Sequence, residues 1–224
     1  MGKTQIIVFR KGGYLACYEK FYYGGKQIDI VNSYKYLGID FTTKLSFVNS
    51  TAGLIAKAKR SCFEITKSLN KINCTEMKIF TKLFDSKVQP ILSYASELWG
   101  MQNLQSIEQV HTSFLKRFLG VSQHSSNNIL YGETGRYPIS INLKIKCLKY
   151  WFRLLSLPQQ RYVRQAYDWL EKQADKGEKN WVFDIREMLC TNGFGYVWMF
   201  KQVGSIKEFC TMFKMRLYDI FIQN

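Results

Sequence analysis

The chain has 224 residues, of which 46% are hydrophobic and 16% aromatic, so it can build a substantial core and wholesale disorder is excluded. With 32 Lys and Arg against 17 Asp and Glu, its formal net charge is +15. An excess of this size attracts polyanions, and each phosphate that a basic side chain neutralises releases counterions.

The positive charge is concentrated in the first two-thirds of the chain. The net charge is +7 over residues 1–60 and +6 over residues 61–160, but only +2 over residues 161–224. This gradient predicts a nucleic-acid surface within the first two-thirds. The alternative interpretation is a soluble basic protein whose Lys side chains are scattered over its surface.

Residues 3–45 have the pattern of a small β unit. The apolar run 6–9 is typical of a short buried strand, which Gly12 and Gly13 would end. Further on, Gly24 and Gly25 separate two short β patterns and predict a hairpin turn. Alternation over residues 34–41 then predicts one more strand.

Helical patterns follow the β unit. Leu54, Ala58, Cys62, Ile65 and Leu69 form an apolar stripe that predicts a helix over residues 47–71. A second stripe runs from Met77 to Leu98 and contains Pro90, where we expect a kink, and a third helix is predicted over 103–119, ending at Gly120. Asn73, followed three residues later by Glu76, predicts a capping box.

Ser, Asn and Gly concentrate in residues 121–138, which predicts a linker. Beyond it, helices are predicted near 140–156, 160–173, 180–192 and 205–222. The fold class expected is α+β and predominantly α, with a small antiparallel β unit, a helical bundle and a second helical region. The corresponding divisions are 1–45, 46–120, the linker 121–138, and 139–224.

Three blocks resemble the reverse transcriptases of non-LTR (LINE-type) retrotransposons. They are residues 3–13 (Lys-Thr-Gln-Ile-Ile-Val-Phe-Arg-Lys-Gly-Gly), 34–39 (Tyr-Lys-Tyr-Leu-Gly-Ile) and 90–100 (Pro-Ile-Leu-Ser-Tyr-Ala-Ser-Glu-Leu-Trp-Gly). Residues 107–111, 119–121, 131–138 and 150–151 extend the likeness over nearly the whole chain. Each block is short, and their order and spacing give the resemblance its strength.

The resemblance implies a role for each part of the chain. Residues 1–45 are similar to the end of the polymerase palm. Lys3 lies near the position at which related polymerases carry a lysine that donates a proton to the leaving pyrophosphate. Tyr36, Leu37 and Gly38 are similar to the primer grip, which positions the primer 3′ end. Residues 46–120 are similar to the thumb, which holds the template–primer duplex. The resemblance also implies a nuclear location.

The chain departs from the family at the catalytic centre. Reverse transcription uses two metal ions, which are Mg²⁺ in this family and are held by palm aspartates. The family carries these aspartates upstream of the segment that matches Met1, and the sequence contains no Asp-Asp pair. Asp29 and Asp40 are isolated on predicted strands. We therefore expect no cofactor or metal site in this chain and no polymerase activity from it alone.

Cysteine and histidine spacing also argues against a zinc site. None of the six cysteines forms a Cys-x-x-Cys pair, and His111 and His124 lie near none of them. His111 falls on an apolar helical stripe and is expected in the core. The chain has no secretory signal pattern and no apolar run long enough for a membrane span, so an intracellular, reduced protein without a membrane partner is expected.

The function expected is sequence-tolerant binding of RNA, DNA or an RNA/DNA hybrid by basic side chains that fall off the first apolar helical stripe, namely Lys57, Lys59, Arg60, Lys67 and Lys71. Their alternative interpretation is an ordinary solvated helix face. For Tyr34 and Tyr36 the alternatives are contact with nucleic acid and packing, and packing is favoured. Because no metal site is expected, Lys3 is more typical of a solvated charge than of a proton donor in catalysis.

Two rival functions remain open. In one, this chain completes a split polymerase whose palm and fingers come from another polypeptide, which would then be its partner. In the other, it is an inert or domesticated helical interaction module with no nucleic-acid role.

Overall fold

The computed structural model describes residues 4–10, 13 and 19–223. Lys3, the catalytic candidate implied by the resemblance, and Gly12, a predicted strand end, lie outside the described residues. Within those residues, short strands come first and helices follow, so the predicted fold class, α+β and predominantly α, is confirmed.

The strands pair two by two. They are β1 (Gln5–Ile6), β2 (Tyr22–Tyr23), β3 (Lys26–Gln27), β4 (Asp29–Ile30), β5 (Ser33–Tyr36) and β6 (Ile39–Thr42). The β2–β3 pair is antiparallel and its turn is formed by Gly24 and Gly25 with φ of 57° and 74°, which confirms the predicted hairpin. The β1–β4 pair is parallel, so the expectation of a wholly antiparallel unit is wrong.

Residues 34–41 form a hairpin and not the single strand predicted. β5 and β6 are antiparallel, with Tyr34 opposite Phe41 and Tyr36 opposite Ile39. Leu37 and Gly38 form the turn, with φ of 48° and 85°. Two successive residues with positive φ reverse the chain in the sense that matches strand twist. Gly38 adopts this conformation without strain, whereas Leu37 adopts it despite the steric conflict between its Cβ and the backbone.

The first helix confirms its prediction. Helix α1 (Val48–Lys71) buries Leu54, Ala58, Cys62, Ile65 and Leu69, which are the members of its apolar stripe. An amphipathic helix gains most of its stability by burying such a face against neighbouring elements. The stripe therefore fixes which side of α1 faces the protein and which side faces solvent.

The second helical pattern is broken into pieces. They are α2 (Met77–Leu83), a π-helical turn (Phe84–Val88), α3 (Gln89–Leu92) and α4 (Ser96–Trp99). Pro90 lacks an N–H and cannot continue the α-helical bonding, and the chain takes π-helical bonding over the five residues that end at Val88. Ala95, with φ of 51°, separates α3 from α4. The predicted capping box is wrong, because Asn73 has φ of 49° and the N-cap of α2 is Glu76, without a side-chain bond.

The rest of the described chain is helical. It contains α5 (Leu104–Leu119), α6 (Asn127–Thr134), α7 (Ile139–Leu155), α8 (Tyr162–Asp175), α9 (Trp181–Thr191), α10 (Gly195–Phe200) and α11 (Ile206–Gln223). Five of these were predicted, and Gly120 ends α5 with φ of 66°. Helices α6 and α10 were not predicted. Helix α6 lies inside the predicted linker 121–138 and buries Leu130 and Tyr131. The division boundaries themselves stay a prediction.

Two hydrophobic clusters meet along α7. Ile139 and Leu143 belong to the first cluster, together with α1, the π turn and α5. Other α7 side chains, among them Leu148 and Trp151, belong to the second, together with α9 and α11. Because one helix supplies both clusters, its position couples the packing of the two halves.

A close approach at Gly100 joins α4 to α7. A Cβ at this position would clash with the carbonyl oxygen of Ser96 and lie 3.1 Å from Sγ of Cys147. Next to it, Trp99 is fully buried and its Nε1–H donates to the Tyr94 carbonyl oxygen at 3.0 Å. Packing therefore explains the Trp-Gly pair at 99–100.

We expect Gly100→Ala to destabilise the protein by about 1–3 kcal/mol, the usual cost of overpacking a rigid site. The matched control is Gly132→Ala in α6, where nothing lies within 4 Å of the new Cβ. That change should be neutral, or stabilising by up to about 1 kcal/mol, because Ala is the better helix former. Urea unfolding of both variants tests this, and equal effects would contradict it.

Candidate nucleic-acid interface

The β5–β6 hairpin is fixed to the helices at two places. At its turn, the Tyr94 hydroxyl donates to the Leu37 carbonyl oxygen at 2.6 Å. On β6, the backbone N–H of Asp40 donates to Oγ of Ser50 at 2.7 Å, and that hydroxyl donates to the Asp40 carbonyl oxygen at 3.1 Å. Because Ser50 lies in the first turn of α1, the hairpin is held beside the start of that helix.

The three residues similar to a primer grip lie at the tip of this hairpin. Tyr36 is 59% exposed and Leu37 is 72% exposed, so neither is packed in the core. Tyr34, two residues earlier on β5, is half-buried. The favoured alternative, packing, is therefore wrong for Tyr36. A Cβ at Gly38 would lie 3.7 Å from the Tyr94 ring, which shows how closely that ring covers the turn.

All five predicted basic residues of α1 are exposed. Lys57, Arg60, Lys67 and Lys71 are separated by three, seven and four residues, so they share one side of the helix. Ser50, which holds the hairpin, lies seven residues before Lys57 and therefore on the same side. We call these four residues the α1 cation stripe, and it begins two turns beyond Ser50, the residue that bonds Asp40 of the hairpin.

Two further charged residues of α1 bear on the charge of the stripe: Lys59 lies outside it and Glu64 lies inside it. Lys59 is exposed but lies one residue before Arg60, about 100° around the helix, so the structure separates it from the stripe. Glu64 lies four residues after Arg60 and three before Lys67, inside the stripe, and is the single acidic residue of α1. The stripe therefore carries four positive charges and one negative charge.

A second basic surface was missed by the sequence analysis. Helix α7 carries Lys144, Lys146, Lys149 and Arg153 and no acidic residue. The sequence signal for this surface is four cations within ten residues and no acidic residue among them. The apolar residues between the cations also predict a core helix, and that pattern hid the basic surface. Burial lowers the pKa of Lys144, so this amine is the least suited of the four to a solvent-facing role.

Part of α7 lines a groove of about 380 Å³. Lys146, Lys149 and Arg153 contribute its positive charge, and Glu97 and Tyr150 complete the wall. The amine of Lys146 is already engaged, since it donates to Oγ and the carbonyl oxygen of Ser93 at 2.9 and 3.1 Å. Lys149 and Arg153, both exposed, are the side chains of this groove that can meet an anion.

His111 confirms its expected place in the core, since it is fully buried against the Phe84 ring. Its Nδ1 lies 3.1 Å from Oε1 of Glu108. That carboxylate also accepts from the Tyr131 hydroxyl and from the backbone N–H groups of Ile139 and Ser140, both at 3.2 Å. The arrangement joins α5, α6 and α7. All carboxylate oxygens are used structurally, so it has the character of a framework and not of an acid–base site.

The described residues do not offer a site for the metal ions that reverse transcription requires. Among them, no three His, Cys, Asp or Glu side chains come close enough to hold an ion. Asp29 on β4 and Asp40 on β6 belong to different strand pairs. The described residues therefore do not fit a two-metal centre.

Helices built from the described residues include none with the length and apolar character needed to cross a membrane.

Comparison with known proteins gives one informative similarity. No protein-family model matches the chain, and no solved structure matches it. The chain is 31% identical over 130 residues to an uncharacterized transposon-derived protein of Caenorhabditis elegans. The match covers 54% of this chain and 43% of the relative, so the chain spans less than half of that protein's length. This similarity supports a transposon-related origin for the chain.

Proposed function

We propose that the chain is the thumb-side part of a non-LTR retrotransposon reverse transcriptase and that its own activity is sequence-tolerant binding of nucleic acid. The likeness of residues 3–13, 34–39 and 90–100 to that family supports the first statement, and so does the similarity to a transposon-derived protein. The α1 cation stripe supports the second and is the observation that carries the proposal.

The stripe has dimensions that suit a polynucleotide backbone. From Lys57 to Lys71 it extends over fourteen residues, about 21 Å at 1.5 Å per residue. Phosphates of one strand follow each other at about 3.4 Å along a duplex axis, so the stripe spans about six of them. The stripe is therefore long enough for its flexible Lys and Arg side chains to contact several phosphates without reading the bases.

The hairpin beside the stripe gives the bound polynucleotide a defined end. Its tip presents Tyr36 and Leu37 to solvent, and the bonds from Tyr94 and Ser50 keep it from moving relative to α1. A duplex that lay along the stripe and extended toward the start of α1 would approach this hairpin, which Ser50 holds there. This is the arrangement expected if residues 36–38 contact a primer terminus.

The test is the salt dependence of binding to a 20-base-pair DNA duplex and to an RNA/DNA hybrid of the same sequence, followed by fluorescence anisotropy. If four to five cations contact phosphates, the log–log slope should be about −4. The association constant should then fall by roughly two to three orders of magnitude between 50 and 200 mM salt. A folded protein that does not bind at 50 mM salt, or binds with a flat salt response, would support the interaction-module alternative instead.

A further inference from the structure

Helix α8 exposes two aromatic rings on one side. Tyr162 is 88% exposed and Trp169 is 61% exposed. They are seven residues apart, which places them two turns from each other on the same side of the helix, about 10 Å apart along its axis. Gln165 and Ala166 lie between them and are also exposed.

The opposite side of α8 is held firmly in the protein. Tyr167 and Ala174 are buried, and the Tyr167 hydroxyl accepts from Nε1–H of Trp151 at 3.1 Å and donates to Glu171 at 3.1 Å. These contacts fix the rotation of the helix about its axis. Tyr162 and Trp169 are therefore directed outward by the packing of the other side.

Within the part of the chain that the structure describes, neither exposed ring has a polar or aromatic partner. Over residues 4–10, 13 and 19–223, no side-chain hydrogen bond, ring contact or cation–π contact involves Tyr162 or Trp169. Burying a large aromatic side chain is worth about 2 to 3 kcal/mol in general, so leaving two of them open on one helix forgoes a sizeable stabilisation. A ligand that covers both rings would recover it.

The charge around the rings is positive. The acidic residues of α8 are each matched by a cation, with Asp168 at 3.0 Å from Arg164, Glu171 at 2.6 Å from Lys201 and Asp175 at 3.7 Å from Arg186. Lys172 and Lys176 follow Trp169 by three and seven residues and are exposed on its side of the helix.

Exposed Arg161 stands directly before Tyr162. The side of α8 that carries both rings therefore has cations toward its C-terminal end, and Arg161, the N-cap residue, adjoins Tyr162 at the other end of the helix. Its neighbouring carboxylates are already neutralised.

We propose that this aromatic and basic side of α8 binds single-stranded nucleic acid by stacking bases on Tyr162 and Trp169 while Arg161, Lys172 and Lys176 contact phosphates. Open aromatic faces flanked by cations are the elements of sequence-tolerant single-strand recognition. A duplex keeps its base faces stacked inside, so it cannot use the rings. The site differs from the α1 stripe in helix, in strand state and in the interaction that dominates, and it does not depend on the stripe.

The test compares binding of fluorescein-labelled (dT)20 with binding of a 20-base-pair duplex at 0.3 M salt, where phosphate contacts alone are weak. Tyr162→Ala with Trp169→Ala should weaken (dT)20 binding by about tenfold or more for each ring removed. Duplex binding should not change. Tyr162→Phe with Trp169→Phe keeps stacking surfaces and should restore most of the single-strand affinity.

Two controls make the outcome decisive. Tyr196→Ala removes another half-exposed ring, on α10, and should leave (dT)20 binding unchanged. The second control is a triple variant of the α1 stripe, Lys57→Gln, Arg60→Gln and Lys67→Gln. It should weaken duplex binding but keep the loss of (dT)20 affinity that follows removal of the two rings. This result separates failure of this proposal from failure of the α1 proposal. Unchanged (dT)20 binding by the double alanine variant overturns the proposal. So does a loss shared equally by duplex and single strand.

Discussion

Replacing Lys57, Arg60 and Lys67 with Glu should abolish duplex binding while leaving the fold intact. All three side chains are exposed and lie off the buried stripe of α1, so the helix keeps its packing. Removing three phosphate contacts should lower the association constant by roughly three orders of magnitude at 0.1 M salt and reduce the log–log slope by about 2.7. Anisotropy titrations give the affinities, and far-UV circular dichroism confirms the helical content.

Adjacent residues provide the matched control for this experiment. Lys59→Glu and Arg60→Glu make the same charge change on the same exposed helix, one residue and about 100° apart. If the α1 cation stripe touches the backbone, Arg60→Glu costs about tenfold more affinity than Lys59→Glu at 0.1 M salt. Equal losses would show that only the overall field of the protein matters and would contradict a defined stripe.

Glu64 gives the same experiment with the opposite sign. Glu64→Gln removes the one negative charge within the stripe and should strengthen duplex binding several-fold, with a steeper response to salt. A solvated face that does not contact nucleic acid would give no change in affinity. A gain from Glu64→Gln and a loss from Arg60→Glu are expected together.

Sequence periodicity predicted the long helices because each has its own apolar stripe. In α1 the buried residues are Leu54, Ala58, Cys62, Ile65 and Leu69, as the spacing required. Helix α6 escaped prediction because Ser and Asn dominate its surroundings and its two buried residues, Leu130 and Tyr131, are adjacent and not periodic. It forms because packing against Leu115 overrides a composition typical of loops.

The hairpin of the candidate site could not be predicted from alternation alone. Residues 34–41 alternate as one strand would, and nothing in the sequence marks Leu37 for a φ of 48°. The turn depends on the Tyr94 hydroxyl that holds the Leu37 carbonyl oxygen from 57 residues away. Exposure of the α1 cations, in contrast, follows from local spacing and was predicted, whereas their contact with nucleic acid stays a prediction.

The hydrogen bonds of Glu108 could not be predicted from the sequence either, because they also depend on residues that are distant along the chain. Its partners on α6 and α7 lie 23 to 32 residues away. Its side chain is 19% exposed and its oxygens satisfy the Tyr131 hydroxyl and the first two backbone N–H groups of α7. A carboxylate at a helix N-terminus also interacts favourably with the helix dipole. One side chain thereby orients the helix that supplies both hydrophobic clusters.

Replacing Glu108 with Ala should therefore be among the most destabilising single changes in this protein. The hydroxyl of Tyr131 and the N–H groups of Ile139 and Ser140 would lose their acceptor, and the cost should be about 3 kcal/mol. In a chain of this size that corresponds to a fall in Tm of about 10 °C. Glu133→Ala is the matched control, because it removes an exposed carboxylate from α6 and should change stability by less than about 0.5 kcal/mol.

The effect of Glu108 should also depend on pH. Burial by itself would raise the pKa of this carboxyl, but the hydrogen bond and charge of His111, with the bonds from Tyr131 and the Ser140 N–H, lower the pKa below its usual value of 4.5. The ionised form is therefore favoured by folding. Its contribution is complete above pH 4.5 and is lost as the pH falls through the lower value of the folded state.

Urea unfolding of the wild-type protein and of Glu108→Gln at a series of pH values checks this sign. The difference in unfolding free energy should be constant from pH 7 to about pH 5 and should shrink steadily below pH 4.5. Glu133→Gln, measured in parallel, should show no such trend. A difference that persists unchanged at pH 3 would mean that the shape of the side chain, and not its charge, holds α5, α6 and α7 together.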